Sequence, residues 1–401
     1  MKVSNQDRTG RKKMVRKVTQ EVEKIESELR ALNEFIHAEP ELGGEEYRAC
    51  RAHIQFLQRH GFQVETQYLG IPTAFKATLD SRKPGATIAY LSEYDALPDI
   101  GHGCGHNLLG TVSSGAGVVL GKMLSEIGGR VMVFGTPAEE TNGFKVDMAN
   151  EGAFDEIDVA MIAHPGASHC RSGRSLAMDA LEFTFLGKAA HAASKPEAGI
   201  NALDAAINTF NHINALREHM KPDARVHGYI KEGGIVANIV PERAVARFHV
   251  RALTNSYLKQ LVEKVKNCAE GASLAAGTQL CIKNYEKSYD NMVTNLTLSE
   301  AYCRNLLKMG VATIEDCPAD ELGSIDAGNV SQKCPTIHPY FAISETLVVE
   351  HTREFARATV TPFAYGEMKK TIGALVLTGL EVGIDPQLLR AIKTEFLMKE
   401  Q

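Results

Sequence analysis

Gly101-His102-Gly103-Cys104-Gly105-His106-Asn107 is the stretch that decides how the chain is read. It sets two imidazoles and one thiol within five residues, and every second residue from Gly101 to Gly105 is glycine. Glycine reaches backbone conformations closed to other residues, so a loop of this kind can turn a thiolate and an imidazole toward one point. Thiolate and neutral imidazole are ligand types favoured by zinc and similar transition metals. Just before it, residues 86–92 (Ala-Thr-Ile-Ala-Tyr-Leu-Ser) read as a short buried strand. That strand runs into Glu93-Tyr94-Asp95-Ala96-Leu97-Pro98, which adds two carboxylates. Ligand-type groups therefore gather at a strand end, where open α/β sheets place ligands. Taken alone, the loop has two other readings: a flexible turn holding a small buried thiol, or a Cys104 nucleophile activated by His106. Residues downstream separate the three.

Residues 131–135 (Val-Met-Val-Phe-Gly) read as a second buried strand, ending in Thr136-Pro137-Ala138-Glu139-Glu140. A third, residues 159–163, ends at His164-Pro165-Gly166. Between the first two strands, residues 108–127 are rich in Gly, Ala and Val, as in a helix lying close on a sheet. Upstream, apolar residues at helical spacing predict one helix over 15–35 and another over 45–60, then strands over 63–69 and 74–79. A further helix is predicted over 146–152. This alternation argues an α/β fold, a mostly parallel sheet flanked by helices.

Near Ala177 the pattern changes. Strands are predicted over 180–186, 225–231, 244–253 and 279–285, with helices over 201–217 and 256–276. The order βαββαβ is that of a ferredoxin-like α+β domain, a small antiparallel sheet with two helices on one side. We therefore expect residues 1–178 and 292–401 to form one domain, closing on a helix over 364–382, with residues 179–291 inserted into it.

The length of 401 residues fits two domains. A hydrophobic fraction of 44% and a charged fraction of 23% are those of a soluble globular protein. A net charge of −5 gives no reason to expect a nucleic-acid partner, and no apolar run approaches the ~20 residues of a membrane span. Residues 1–17 are basic and polar, without the apolar core of a secretory signal, and read as a ragged tail leading into a helix. The eight cysteines (Cys50, Cys104, Cys170, Cys268, Cys281, Cys303, Cys317 and Cys334) are scattered with no CxxC pair. Free thiols in a reducing cytoplasm are the expectation.

Three strand ends now carry ligand-type residues: Cys104 and His106, Glu139 and Glu140, and His164, with His351 as a fourth contributor. Adjacent residues on an extended loop point in different directions, so Glu139 and Glu140 divide the work. One binds metal while the other serves as general base. Together these groups are the machinery of amide hydrolysis without a covalent intermediate. A metal-binding but inactive sensor or scaffold is the competing class, and a passive site has no need of Glu139.

The chain resembles the dinuclear metallopeptidases of the aminoacylase and carboxypeptidase type, metallopeptidase family 20. Within it the chain looks closest to the amidohydrolase branch containing aminobenzoyl-glutamate hydrolase, aminoacylase-1-like dipeptidases and related bacterial aminopeptidases. The resemblance runs from about His37 onward. It is carried by His37-Ala38-Glu39-Pro40-Glu41-Leu42-Gly43, the stretches around Asp95, Cys104 and Glu139, Gly187-Lys188-Ala189-Ala190-His191-Ala192 and Asp326-Ala327-Gly328-Asn329-Val330-Ser331. Asn107 stands where many relatives carry Asp, and Gly103 where Ala is more usual. The resemblance implies two divalent metal ions, zinc or manganese, held by Cys104, His106, Glu140, His164 and His351, with Glu139 as base. It implies that Asp95 orients a ligand. It also implies that the inserted domain is a lid and dimerisation domain. There His191 stabilises the oxyanion, commonly at the dimer partner's site, and Asn238 and Arg251 bind substrate. The implied substrate is a small amide: a dipeptide, an N-acyl amino acid or an aminobenzoyl-glutamate-like compound, with hydrolysis of an aromatic amine as the alternative. The implied assembly is a homodimer or higher homo-oligomer, with no nucleic-acid or membrane partner.

Overall fold

The computed structural model describes residues 5–317 and 322–398. They fall into two compact units, one within Met1–Arg174, Met292–Leu322 and Asn329–Glu400, the other within Ser175–Asn291 and Gly323–Gly328.

The first unit is built on a six-stranded sheet in the spatial order Gln63–Thr66, Phe75–Asp80, Arg130–Gly135, Thr87–Ser92, Val159–Met161, Thr336–Ile337. The first two pairings are antiparallel and the other three parallel, so the sheet is mixed but mostly parallel. Every residue of Thr87–Ser92 is buried. Ile88 and Tyr90 face one apolar cluster, Ala89 and Leu91 another. A strand covered on both faces reads as a continuous apolar run rather than an alternation, which is how residues 86–92 appear in the sequence.

Helix His106–Lys122 lies on one of those faces and is buried from His106 to Leu120. Its small residues permit this closeness: a Cβ on Gly117 would stand 2.3 Å from Val133 Cγ2. Pro362–Ile384 packs on it, buried over most of its length. Short helix Phe144–Asn150 contributes Met148 and Ala149 to the opposite cluster. A separate parallel pair, His164–Gly166 with Tyr340–Ala342, extends beyond the end of Val159–Met161.

In the second unit, strands Ala177–Leu186, Arg225–Glu232, Arg243–Ala252 and Gln279–Asn284 form one antiparallel sheet. By chain order of its strands the sheet runs fourth, first, third, second. Helices Ala202–Leu216 and Asn255–Ala276 complete the βαββαβ order, and both contribute to one cluster with the sheet's apolar residues.

Several boundaries differ from the sequence reading. The single helix expected over 15–35 is two, Asn5–Lys24 and Glu26–Ala38, broken at Ile25 (φ −110°, ψ 5°). The basic tail is thus helical from Asn5, with residues 1–4 outside the described residues. The strand expected over 63–69 stops at Thr66, because Gln67 and Leu69 take left-handed backbone angles. The helix over 108–127 starts earlier, at His106, and breaks at Met123. Residues 323–328, which we expected with the first domain, belong to the second unit. The Leu176 N–H donates to the Gly323 carbonyl at 2.8 Å, and Arg251 Nη1 donates to Ser324 Oγ at 2.8 Å.

Candidate metal centre

The centre is assembled at the C-terminal ends of three adjacent strands. Thr87–Ser92 leads to Glu93 and Asp95, Arg130–Gly135 to Glu139 and Glu140, and Val159–Met161 to His164. The glycine loop follows. Gly105 sits at φ +81°, and a Cβ there would stand 2.9 Å from the Pro165 ring. Both facts demand glycine. The turn it makes puts Cys104 on the loop and His106 at the first position of the buried helix.

Each ligand-type side chain is held by its neighbours. Cys104 Sγ lies 3.5 Å from His164 Nε2. His164 Nδ1 is 2.6 Å from the Pro165 carbonyl and donates to it, which leaves the Nε2 lone pair directed at the thiol. Asp95 Oδ1 lies 2.9 Å from His106 Nδ1, while Asp95 Oδ2 accepts the Glu140 N–H at 2.9 Å. One carboxylate therefore orients two of the groups. His351 has a left-handed backbone (φ +61°), and its N–H donates to the Gly103 carbonyl at 2.8 Å. Its Nε2 stands 3.5 Å from Glu140 Oε1.

Donor atoms cluster in three overlapping sets: Cys104, His106 and His164; Cys104, Glu140 and His351; and His106, Glu139 and Glu140. Within each set the donor atoms lie within 4.8 Å of one another. Cys104, His106 and Glu140 each belong to two of the sets, and the members together are the five residues expected as ligands plus the expected base. His106 Nε2, Glu140 Oε1 and Glu93 Oε2 are buried and have no hydrogen-bond partner. His106 Nε2 and Glu93 Oε2 approach to 3.2 Å without making a bond of acceptable geometry. Buried polar atoms are normally satisfied. A thiol, three imidazoles and carboxylates with orphaned lone pairs converging on one point suit a divalent cation.

The remaining expected residues lie in the second unit. His191 is exposed, and its Nδ1 accepts the N–H groups of Ala193 and Ser194 at 3.2 and 3.3 Å. With Nδ1 accepting, the neutral ring carries its proton on Nε2. Asn238 is also exposed, and its carbonyl accepts the Ala192 N–H at 3.0 Å, so these two sit side by side. Arg251 is half-buried against Ser324.

The architecture and donor set have counterparts among known proteins. Residues 177–275 match the peptidase dimerisation domain of the M20 peptidases. Over 399 residues the chain is 37% identical to the Xaa-Arg dipeptidase of Homo sapiens, covering 95% of this chain and 91% of that one. The chain belongs to metallopeptidase family 20. It is a metal-dependent hydrolase of amide bonds. One of the two kinds of chain named for the p-aminobenzoyl-glutamate hydrolase of Escherichia coli (strain K12) is 35% identical over 292 residues, 68% of this chain and 60% of that protein. The fold matches a dinuclear metal binding peptidase of family 20 from Bacillus subtilis with a TM-score of 0.66. That match is at 18% identity and covers 90% of this chain and 99% of the other.

For this family member the electrostatics of the centre follow from burial. Burial pushes the Cys104 thiol well above its ordinary value, and neighbouring His106 only partly offsets this. Burial likewise opposes a charge on Asp95, but His106 and the Glu140 N–H outweigh it and hold the carboxyl below its usual range. Glu140 is lowered too, burial being overcome by His351 and His106. Behind the centre, Lys145 is fully buried and its Nζ lies 2.7 Å from Glu93 Oε1.

Two functional-looking groups escaped the sequence reading. Lys145 reads as an ordinary surface lysine, and nothing in its neighbours signals burial. Glu46 is fully buried, and its Oε1 accepts the Ala138 N–H at 2.7 Å. A partial signal for Glu46 existed: it belongs to an adjacent Glu pair, as Glu139 and Glu140 do, but follows a turn rather than an apolar strand.

Proposed function

We propose that this hydrolase cleaves the amide bond of a dipeptide or similar small acylated amino acid at a two-metal centre. Cys104, His106, Glu140, His164 and His351 hold the ions and Glu139 is the general base. The observation that carries the reading is the convergence of these six side chains into three overlapping donor sets. Divalent metal, zinc or manganese, supplies Lewis acidity that acidifies water and polarises a carbonyl. Soft thiolate and imidazole favour zinc, while the carboxylates keep manganese within range.

The chain's own residues do the rest. Asp95 fixes the His106 ring and the Glu140 backbone. Glu139 takes a proton from the attacking water and returns it to the leaving amine. His191, with its ring proton on Nε2, donates to the oxyanion, and Asn238 and Arg251 bind the substrate. The match to a peptidase dimerisation domain supports a homodimer as the working form. The eight free thiols support a cytoplasmic setting.

The first substrates to test are dipeptides ending in arginine and p-aminobenzoyl-glutamate, the compounds for which two relatives are named. Purified protein, stripped with chelator and reloaded with zinc or manganese, is assayed against these and against a panel of N-acyl amino acids. Hydrolysis that is lost on chelation and restored by metal is the expected result. Metal analysis finding less than one ion per chain in active protein would overturn the two-metal reading.

A further inference from the structure

The turn joining helices Glu26–Ala38 and Tyr47–Arg59 plays no part in the chemistry above, yet it lies against the loop that carries Glu139 and Glu140. Glu46 immediately precedes the second helix, but its side chain does not cap it. That task falls to Glu41, whose Oε2 accepts the N–H groups of Arg48 and Ala49 at 2.8 and 3.0 Å. Released from capping, the Glu46 carboxyl turns inward. One oxygen accepts the Ala138 N–H at 2.7 Å and the other accepts the Thr73 hydroxyl at 2.9 Å.

Ala138 is the residue that most needs holding. It has φ +60°, a left-handed conformation that costs a non-glycine residue roughly 1 kcal/mol or more. It stands immediately before Glu139 and Glu140, so its conformation sets the direction in which both carboxylates leave the strand. Two anchors bracket it: Glu46 on the Ala138 N–H and Asp95 on the Glu140 N–H. The turn approaches closely as well. A Cβ on Gly43 would stand 3.1 Å from Ala138 Cα and 2.1 Å from Thr141 Oγ1.

We infer that Glu46 is a positioning residue of the hydrolytic centre, holding the strained Ala138 peptide so that Glu139 and Glu140 point correctly. This rests on the reading of Glu139 as base and Glu140 as ligand. Its two carboxyl oxygens are engaged by the Ala138 N–H and the Thr73 hydroxyl, so Glu46 acts through the Ala138 peptide.

The test compares Glu46→Ala, Glu46→Gln and Glu46→Ala combined with Ala138→Gly, using full-length zinc-loaded protein. Two measurements are made on each: steady-state hydrolysis of the substrate found in the panel, and zinc retained against EDTA by metal analysis. Glu46→Ala is expected to lower kcat about 10–100-fold with KM within about threefold, and to lose zinc at lower EDTA. Glu46→Gln keeps an oxygen for the Ala138 N–H and is expected to stay within about threefold of wild type. Glycine adopts φ > 0 without strain, so Ala138→Gly is expected to restore part of what Glu46→Ala loses. Loss of thermal stability alone would move none of these readouts in the folded fraction.

Wild-type kcat and zinc retention in Glu46→Ala overturn the inference, as does a Glu46→Gln as impaired as Glu46→Ala. Should Glu46→Ala fail to fold, Thr73→Val, which releases one carboxyl oxygen, must show the same split in smaller measure; its absence overturns the inference. If wild-type protein hydrolyses nothing in the panel, the substrate reading has failed, and the zinc arm still decides the role of Glu46.

Discussion

Asp95 Oδ1 stands 2.9 Å from His106 Nδ1, and both side chains are fully buried. The other Asp95 oxygen is already taken by the Glu140 N–H. Replacing Asp95 with Asn puts an amide NH2 against one of two donors, the imidazole N–H or the Glu140 N–H. We expect metal affinity to fall about 10–100-fold in Asp95→Asn, measured by competition with a chromogenic chelator. Affinity at the wild-type level would remove Asp95 from the role of orienting ligands.

Glu139→Gln separates base from ligand. The substitution keeps the size of the side chain and removes its basicity. Turnover should fall about 10²–10⁴-fold with bound metal unchanged. An acyl-enzyme trapped on Cys104 would point instead to a thiol nucleophile.

His191→Ala should keep both fold and metal, because the ring is exposed and its Nδ1 bonds within its own loop. The expected loss in turnover is about 10²–10³-fold, that of one oxyanion donor. If the donor comes from the dimer partner, mixing His191→Ala with Glu139→Gln chains regenerates a site holding both groups, and some activity returns. A mixture that exchanges subunits yet stays inactive places the donor within its own chain.

Glu46 carries the pH prediction. Burial, and then the charge of Asp95, push its carboxyl from an ordinary 4.5 up to about 7. The folded state therefore holds a proton that the unfolded chain has released. Through Glu46 alone, folding is most favoured below pH 4.5, and this contribution falls as pH rises, by about 3 kcal/mol at pH 7, levelling off above it. Glu46→Gln does not titrate, so the stability of wild type minus that of the variant should decline over this window. Urea unfolding of both proteins from pH 5 to 8 reads the difference directly. A constant difference would mean that Glu46 is already ionised throughout.

Most of the fold is legible in the sequence because strand and helix periods are local properties. The βαββαβ order of the second unit shows in alternation and turn residues, and the buried strand Thr87–Ser92 in its unbroken apolar run. The centre is legible because its residues cluster at strand ends. What escaped is non-local. Whether residues 323–328 join one unit or the other depends on hydrogen bonds to Leu176 and Arg251, far away in the chain. Nothing near Lys145 announces that it will be fully buried against Glu93. The break at Ile25 falls inside an uninterrupted helical period, with neither proline nor glycine beside it to mark it.

One consequence of the helix His106–Lys122 concerns time. Its first fifteen residues are shielded from solvent, and beyond its first two residues its amides are bonded along the helix. Such amides exchange with deuterium through the rarest openings of a protein. His106 stands at the first position of this helix, its ring fully buried and held at Nδ1 by Asp95, so it is packed into a shielded segment. His351, on a loop and 55% exposed, has no such anchor. Of the side chains around the centre, one is thus tied to a buried helix and another to an exposed loop, and the two are expected to move on different timescales.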